Sequence, residues 1–490
     1  MLRLLLPVCA VLAAASAFGY NAGGYGYLNP MAAMYGYGPG YGHHGKLGPK
    51  NNNQRGQCSG CSDVSTYNTA LTSATARYAE RRDLVGPALK TESADVYCLQ
   101  GVYLESDEKR ILDSLNSSYS HSYSAIHYAE GELRKPYSKM FPNEQAETDA
   151  LVEAACNQQD FVWFFGAVGP CALTSGCTII FGTQGYQAGW QCVSNNCAAQ
   201  LNDERIRPQC LSCIYIQQSS FTAISPLCLP DAAGDRLNKL NDPGLLLVSK
   251  CPITNAKYTP FFPGNDQLIQ RGYIEADVEG VGKVVCTNLD AADAIYTEYD
   301  MPFTNFADQQ AAEITQLLQR FRSKDHILMG TLNAGPGEAS LGAVQEDQYN
   351  RLIDSGYASA YLKQSKGCTY CTDNALIPVS QRPAQDQVID NILIRGKTPT
   401  VRSSRRTLTG NLDNNINPLS THYGAEATVC PAETCRGPFC QMNKMGYKPY
   451  FPGYMPAYGY GYGYQTPYYG YGYGGYAGYG GYYGNAYQYY

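Results

Sequence analysis

Short apolar runs recur through the middle of the chain, separated by polar and glycine-containing stretches. They are Val96-Tyr97-Cys98-Leu99, Gly244-Leu245-Leu246-Leu247-Val248, Val284-Val285-Cys286, Ile327-Leu328-Met329 and Val388-Ile389-Asp390-Asn391-Ile392-Leu393-Ile394. Runs this short, rich in Val and Ile, predict strands. Glu279-Gly280-Val281-Gly282, between Tyr273-Ile274-Glu275-Ala276 and Val284-Val285, reads as a hairpin turn. From Ala307 to Phe321 the spacing changes: Ala311, Ile314, Leu317, Leu318 and Phe321 fall on one face of a helix. Strands and helices alternating over one long region predict an α/β or α+β sandwich.

Outside that region the pattern disappears. Residues 1–17 have a leader's form: Arg3, an apolar run from Leu4 to Ala15, then Ala15-Ser16-Ala17 for cleavage. The run is too short for a bilayer core of roughly 30 Å, so the mature chain is expected to be exported and to begin at Phe18. Residues 18–57 form an arm rich in Gly, Tyr and Asn, and residues 441–490 form a Gly-Tyr tail, as in Tyr458-Gly459-Tyr460-Gly461-Tyr462. Neither holds enough Leu, Ile or Val to offset the ordering of so much glycine, so both read as low-complexity disordered segments. Tyrosine supplies flat rings for stacking between chains and phenols that oxidise and couple.

Of the 19 cysteines, Cys9 leaves with the leader, and an even set remains, as expected of a disulfide framework in an exported chain. Eight of them, from Cys156 to Cys228, crowd a stretch of about 147–230 that reads as a small stapled insertion with both tryptophans, Trp163 and Trp190. The run Phe161-Val162-Trp163-Phe164-Phe165 is expected in the core of that insertion. Three Cys-x-x-Cys spacings (Cys58/Cys61, Cys210/Cys213, Cys368/Cys371) suit zinc half-sites, redox centres or structural disulfides; with no histidine close by in an oxidising compartment, disulfides are expected. Cys430, Cys435 and Cys440 should tie down the end of the folded region. Asn116-Ser117-Ser118 is a glycosylation sequon. Arg402-Ser403-Ser404-Arg405-Arg406 reads as a polar loop. A net charge of −6 over 490 residues argues against a broad nucleic-acid-binding face.

Six blocks in order carry a resemblance. They are Ser65-Thr66-Tyr67-Asn68-Thr69-Ala70-Leu71, Ala94-Asp95-Val96-Tyr97-Cys98-Leu99-Gln100-Gly101-Val102, Gly244 to Lys250, Val285-Cys286-Thr287-Asn288-Leu289-Asp290, Met329-Gly330-Thr331-Leu332-Asn333-Ala334-Gly335-Pro336, and Ile389-Asp390-Asn391-Ile392 with Ser420-Thr421-His422-Tyr423. Together, over about residues 64–430, they resemble the endonuclease/exonuclease/phosphatase superfamily, which includes deoxyribonuclease-like enzymes and neutral sphingomyelinase-like phosphodiesterases. The resemblance implies a four-layer α/β sandwich, two packed sheets flanked by helices, spanning residues 58–440 with the Cys-rich insertion inside it.

The resemblance also implies what is missing. The family's Mg²⁺-binding Glu falls at Gly101, one catalytic His at Asn288, and two Asp positions at Thr331 and Thr421; Asn68, Asn333, Asp390 and His422 match the family. Losing one positioned acid or base costs about 10²–10⁴ in rate, and glycine offers a hard cation nothing. Glu105 is too distant to replace the ligand, at about 13 Å along an extended strand, and Glu426 stands equally far from His422. The expectation is a pseudoenzyme without metal or cofactor, with no nucleic-acid or membrane partner. Its Tyr-rich arms resemble those of molluscan shell-matrix proteins. They imply a secreted, structural role in an extracellular matrix such as a shell, with other matrix proteins, mineral or polysaccharide as partners. A secreted Mg²⁺-dependent phosphodiesterase and a non-catalytic phosphate-ligand module are the alternatives.

Overall fold

The structure, a computed structural model, describes residues 60–430 apart from 116–117, 127–154, 218–226, 230–238, 263–268, 292–302, 411–417 and a few single or paired positions. The leader, both arms, Cys58, Cys435, Cys440 and the sequon at Asn116 lie outside the described residues. In chain order the core elements are β1 (Ser62–Leu71), α1 (Tyr78–Glu92), β2 (Val96–Val102), α2 (Glu105–Leu115), β3 (His121–Ser124), β4 (Leu246–Ser249), β5 (Ile253–Pro260), β6 (Gly272–Val278) and β7 (Gly282–Asn288). There follow α3 (Phe306–Arg320), β8 (His326–Thr331), α4 (Glu346–Asp354), β9 (Tyr357–Ser359), β10 (Asp390–Arg395), β11 (Thr400–Thr407) and β12 (Gly424–Cys430).

The strands pair into two six-stranded sheets, ordered β11-β12-β1-β2-β4-β3 and β5-β6-β7-β8-β10-β9. Each is mixed: β1 runs parallel to β2 and β7 parallel to β8, while the other pairs are antiparallel. The predicted hairpin is β6–β7, with Val278 opposite Gly282.

Alternation along each strand explains why the sheets stack. Val64, Val96, Cys98, Val284, Cys286, Ile327, Met329, Ile392, Ala425 and Ala427 point between the sheets into one apolar cluster. Their neighbours in sequence point outward: Tyr97 and Leu99 pack under Val85 and Leu89 of α1 and Ile111 and Leu115 of α2. On the other sheet, Val285, Leu328 and Leu393 pack under Ile314 and Leu317 of α3 and Leu352 of α4. Both faces are thus covered, giving four layers, and each fully buried aliphatic side chain contributes about 1.5–3 kcal/mol. The Asn305 side chain caps α3 by accepting from Asp308 N at 2.9 Å.

The Cys-rich stretch has its own core. Helices at Gln158–Trp163, Cys177–Gln184, Tyr186–Asn196 and Pro208–Gln217 enclose Phe161, Phe164, Val168, Trp190, Val193 and Ile214. Its eight cysteines pair among themselves, as Cys156–Cys210, Cys171–Cys197, Cys177–Cys192 and Cys213–Cys228. Phe161 and Phe164 sit inside, whereas Val162 stays exposed and Trp163 lies beneath the Arg205 guanidinium at 3.8 Å.

The described cysteines of the three Cys-x-x-Cys spacings are in disulfides, as expected, and one other reading of the sequence needs correcting. Only Cys368–Cys371 closes within its own Cys-x-x-Cys; Cys210 and Cys213 pair with different partners, and Cys61 joins Cys430, which fastens the first strand to the last. Cys210 and Cys213 lie on one helix, Pro208–Gln217, yet reach different partners, so spacing alone does not select one. The stretch Arg402 to Arg406 is not a loop but the middle of β11, an edge strand in register with β12. An edge exposed to water needs no apolar face, and charged residues there discourage further pairing, which is why its pattern hides a strand.

Candidate functional site

Carrying the inward alternation to the strand ends brings polar residues together. On β1 the inward positions Val64 and Thr66 lead to Asn68; on β2, Cys98 leads to Gln100; on β7, Cys286 leads to Asn288; on β8, Met329 leads to Thr331. Asn68 is level with Gln100, Asn288 with Thr331, and Thr331 with Asp390 at the start of β10. The cluster therefore caps one end of the inter-sheet core.

His422 and Asp390 form the centre of it. His422 Nδ1 lies 2.8 Å from Asp390 Oδ2, with both side chains fully buried. A carboxylate only accepts, so Nδ1 carries the proton in this bond and Nε2 is the basic nitrogen of the ring. Thr331 Oγ1 donates to Asp390 Oδ1 at 2.6 Å, and Asn68 Nδ2 donates to Thr331 Oγ1 at 3.2 Å. Thr369 Oγ1 accepts from the Ile389 and Asp390 amides at 3.1 and 3.0 Å. Ser420 links the two sides: its hydroxyl donates to Asn68 O at 2.6 Å and accepts from His422 N at 3.1 Å.

Behind the cluster stands Arg81 of α1, fully buried. Its guanidinium donates to the carbonyls of Thr69, Ala70, Ala76 and Leu419 at 3.0, 2.6, 3.0 and 2.9 Å. It thus holds the end of β1 against the segment that carries His422, and burial lowers its pKa to about 10.

The position implied for the metal ligand is closed. Gly101 has φ +72°, and a Cβ there would meet Ala70 N and Asn68 Oδ1, each at 2.8 Å. Ala70 is itself left-handed, φ 45°, where the β1–β2 register shifts, and its amide donates to Asn68 Oδ1 at 3.1 Å. A glutamate at 101 would lack both the backbone conformation and the space. Mg²⁺ requires a near-octahedral set of oxygens that includes carboxylate. Asp390 supplies the cluster's carboxylate, and each of its oxygens already accepts a hydrogen bond. The residues present do not fit the ion.

The other matched and substituted positions are placed as follows. Asn288 and Asn333 are buried; Asn333, with φ 48°, donates from Nδ2 to Leu289 O at 2.7 Å. Thr421 is half-buried between Ser420 and His422. Glu105 begins α2 instead of extending β2. Glu426 of β12 is in register with Ser65, between the inward Ala425 and Ala427, and bonds Arg405 at 2.7 Å.

Three contributors escaped the sequence reading: Arg81, Thr369 and a disulfide joining Cys98 of β2 to Cys286 of β7. Their signals were present, in that both cysteines occupy inward positions of apolar runs. The insertion also reaches the site's border, where Gln217 accepts from Ser73 N at 2.9 Å through its side chain and from Ser73 Oγ at 2.6 Å through its backbone.

No protein-family model matches the chain, and no curated protein matches it in sequence. Solved structures to which it is similar include an endonuclease/exonuclease/phosphatase from Beutenbergia cavernae, 13% identical, TM-score 0.42, covering 76% of this chain and 72% of that one. Sphingomyelinase C from Streptomyces griseocarneus is 14% identical, TM-score 0.38, covering 75% and 99%. An AP endonuclease from Archaeoglobus fulgidus is 10% identical, TM-score 0.40, covering 75% and 99%. At these identities the likeness concerns the fold alone. The disulfides suit an oxidising, extracellular compartment, and no helix among the described residues is long and apolar enough to cross a membrane.

Proposed function

We propose that this chain is a non-catalytic, phosphodiesterase-like domain carried by a secreted matrix protein, which works by assembly through its two Tyr-rich arms. The observation that carries the reading is Gly101: its left-handed backbone and the 2.8 Å approach of Ala70 N leave the end of β2 unable to present an acidic side chain. The donors that hold the remaining cluster, Thr331 and Asn68, are neutral side chains where a metal-dependent hydrolase needs positive charge. The arms supply tyrosine for stacking and coupling, and an inert, disulfide-closed domain between them acts as a spacer of fixed shape.

Two measurements test this. The first is the full chain assayed with nucleic-acid and phospholipid diesters in Mg²⁺ or Mn²⁺, with His422→Ala as control; turnover that depends on His422 would refute the inert reading. The second is mass spectrometry of washed, decalcified or insoluble extracellular material. Recovery there, with oxidised or coupled tyrosine, supports the matrix role, and recovery confined to free fluid opposes it.

One observation favours the second reading, a secreted phosphodiesterase: the buried Asp390–His422 pair keeps the geometry of an oriented general base. The same assay decides between them.

A further inference from the structure

Cys368–Cys371 differs from the other disulfides. Those among the described residues bridge separations of 15 to 369 residues, whereas it bridges 3. In the chain-entropy account a disulfide stabilises less as the loop it closes shortens, so this one has the least structural reason to exist.

Its surroundings suit a different task. Arg406 Nη1 lies 3.3 Å from Cys368 Sγ and 3.5 Å from Cys371 Sγ. A neutral disulfide gains little from a guanidinium, whereas a thiolate gains a great deal. A carboxylate oxygen of Asp386 lies within 4.8 Å of both sulfurs, and the side chain is held through Oδ1, which accepts from Thr372 N and Oγ1, each at 2.8 Å. The cation to stabilise a thiolate and the base to take a thiol proton are both in place.

The two residues between the cysteines belong to the site described above. Thr369 holds the amide of Asp390, and the Tyr370 ring packs 5.2 Å from the His422 ring. Thr369 O also accepts from Tyr423 N at 2.7 Å. The disulfide therefore closes the loop that positions the Asp390–His422 pair.

We propose that Cys368 and Cys371 form a thiol–disulfide exchange site that accepts two electrons from a dithiol, and that its redox state is felt at Asp390 and His422. Both cysteines belong to the core between the sheets, and Cys368, 5% exposed, is the less buried of the two, so it is the sulfur taken as attacked when the loop opens. A thiolate of the dithiol attacks Cys368 Sγ; the Sγ–Sγ bond breaks, and Cys371 leaves as a thiolate beside Arg406. The second thiol of the reductant, its proton passing to Asp386, then attacks the mixed disulfide and releases Cys368 as a thiolate. The dithiol leaves as a disulfide; one cysteine thiolate takes the proton held by Asp386 and the other takes from solvent the proton that the first thiol had released there, so this chain holds two thiols after gaining two electrons and two protons.

The test uses the full chain in buffers of reduced and oxidised dithiothreitol, with thiols trapped by iodoacetamide and located by mass spectrometry. Cys368 and Cys371 should be alkylated at a poise where Cys98, Cys286 and the insertion's cysteines remain protected. At that poise the Asp390 amide should exchange hydrogen at least about tenfold faster. Arg406→Met should require a roughly tenfold higher ratio of reduced to oxidised reagent for the same alkylation, with Arg406→Lys between. Protection of Cys368 and Cys371 until Cys98–Cys286 opens would overturn the proposal, as would an Arg406→Met protein that titrates like the parent. If that variant does not fold, the selectivity in the parent decides alone.

Discussion

Cys98 and Cys286 join the two sheets through the middle of the sandwich, with their Cα atoms 5.4 Å apart. Facing sheets filled by side chains stand about 10 Å apart, so the bond marks where β2 and β7 converge. Two residues further along these strands lie Gln100 and Asn288, and the disulfide therefore sets the separation of the sheets directly beneath the polar cluster. It closes a span of 188 residues. Replacing both cysteines by Ala should cost roughly 2–5 kcal/mol, read as a lower denaturant midpoint. An unchanged midpoint would mean that packing alone holds the sheets at this distance.

Gly101 gives a second test. Gly101→Ala places a Cβ 2.8 Å from Ala70 N in a backbone of φ +72°. The left-handed conformation alone costs a non-glycine residue about 1–2 kcal/mol, and the contact adds to it. Gly60 has nothing within 4 Å of its Cβ position, so Gly60→Ala should stay within about 0.5 kcal/mol of the parent. Gly101→Glu should be destabilised at least as far and should gain no stability from added Mg²⁺. Tighter folding with Mg²⁺, seen as a rise in melting temperature, would mean that the site reopens around a restored carboxylate.

The parts read correctly from sequence share one property: their apolar spacing reports which faces are buried. The strands at Val96, Val284 and Ile327 and the helix beginning near Ala307 follow from apolar spacing, and the ordered motifs place Asn68, Asp390 and His422 in one cluster. Missed features depend on partners distant in sequence. Arg81 looks like any surface helix residue until the Leu419 carbonyl, 338 residues away, meets it. Cys98 and Cys286 looked like small core residues because their positions are core positions. The edge strand β11 has no buried face to announce it, and residue spacing gives no sign that Gly101 is left-handed.

Arg81 gives a third prediction. Its guanidinium satisfies four backbone carbonyls from three parts of the chain. Arg81→Met would leave acceptors buried without donors, at about 1–3 kcal/mol each, so a loss of at least 3 kcal/mol is expected. Lysine carries a single ammonium and cannot reproduce the planar fork, so Arg81→Lys should recover little. In hydrogen exchange the segment around His422 should open more readily in either variant, whereas the insertion should not change. Uniform loosening of both would show that Arg81 is a general stability residue and not a link between β1 and the His422 segment.

His326 sets an acid limit on stability. Its Nδ1 lies 2.9 Å from the carbonyl of Lys324, which only accepts, so the proton sits on Nδ1 and Nε2 accepts from the Tyr357 hydroxyl at 2.7 Å. Burial disfavours a second proton and lowers the pKa from 6.5 to about 4. The unfolded chain therefore binds more protons than the folded one between pH 6.5 and about 4. Stability from this residue is complete above 6.5 and is lost as the pH falls through that window, by up to about 3 kcal/mol. Glu313, raised by burial and by the neighbouring Asp290, acts in the opposite sense, because its contribution declines as the pH rises above its ordinary value. The difference between parent and His326→Gln isolates the histidine, since Glu313 is common to both. That difference should favour the parent most above pH 6.5 and shrink steadily toward pH 4; a difference independent of pH would place the imidazole in contact with water.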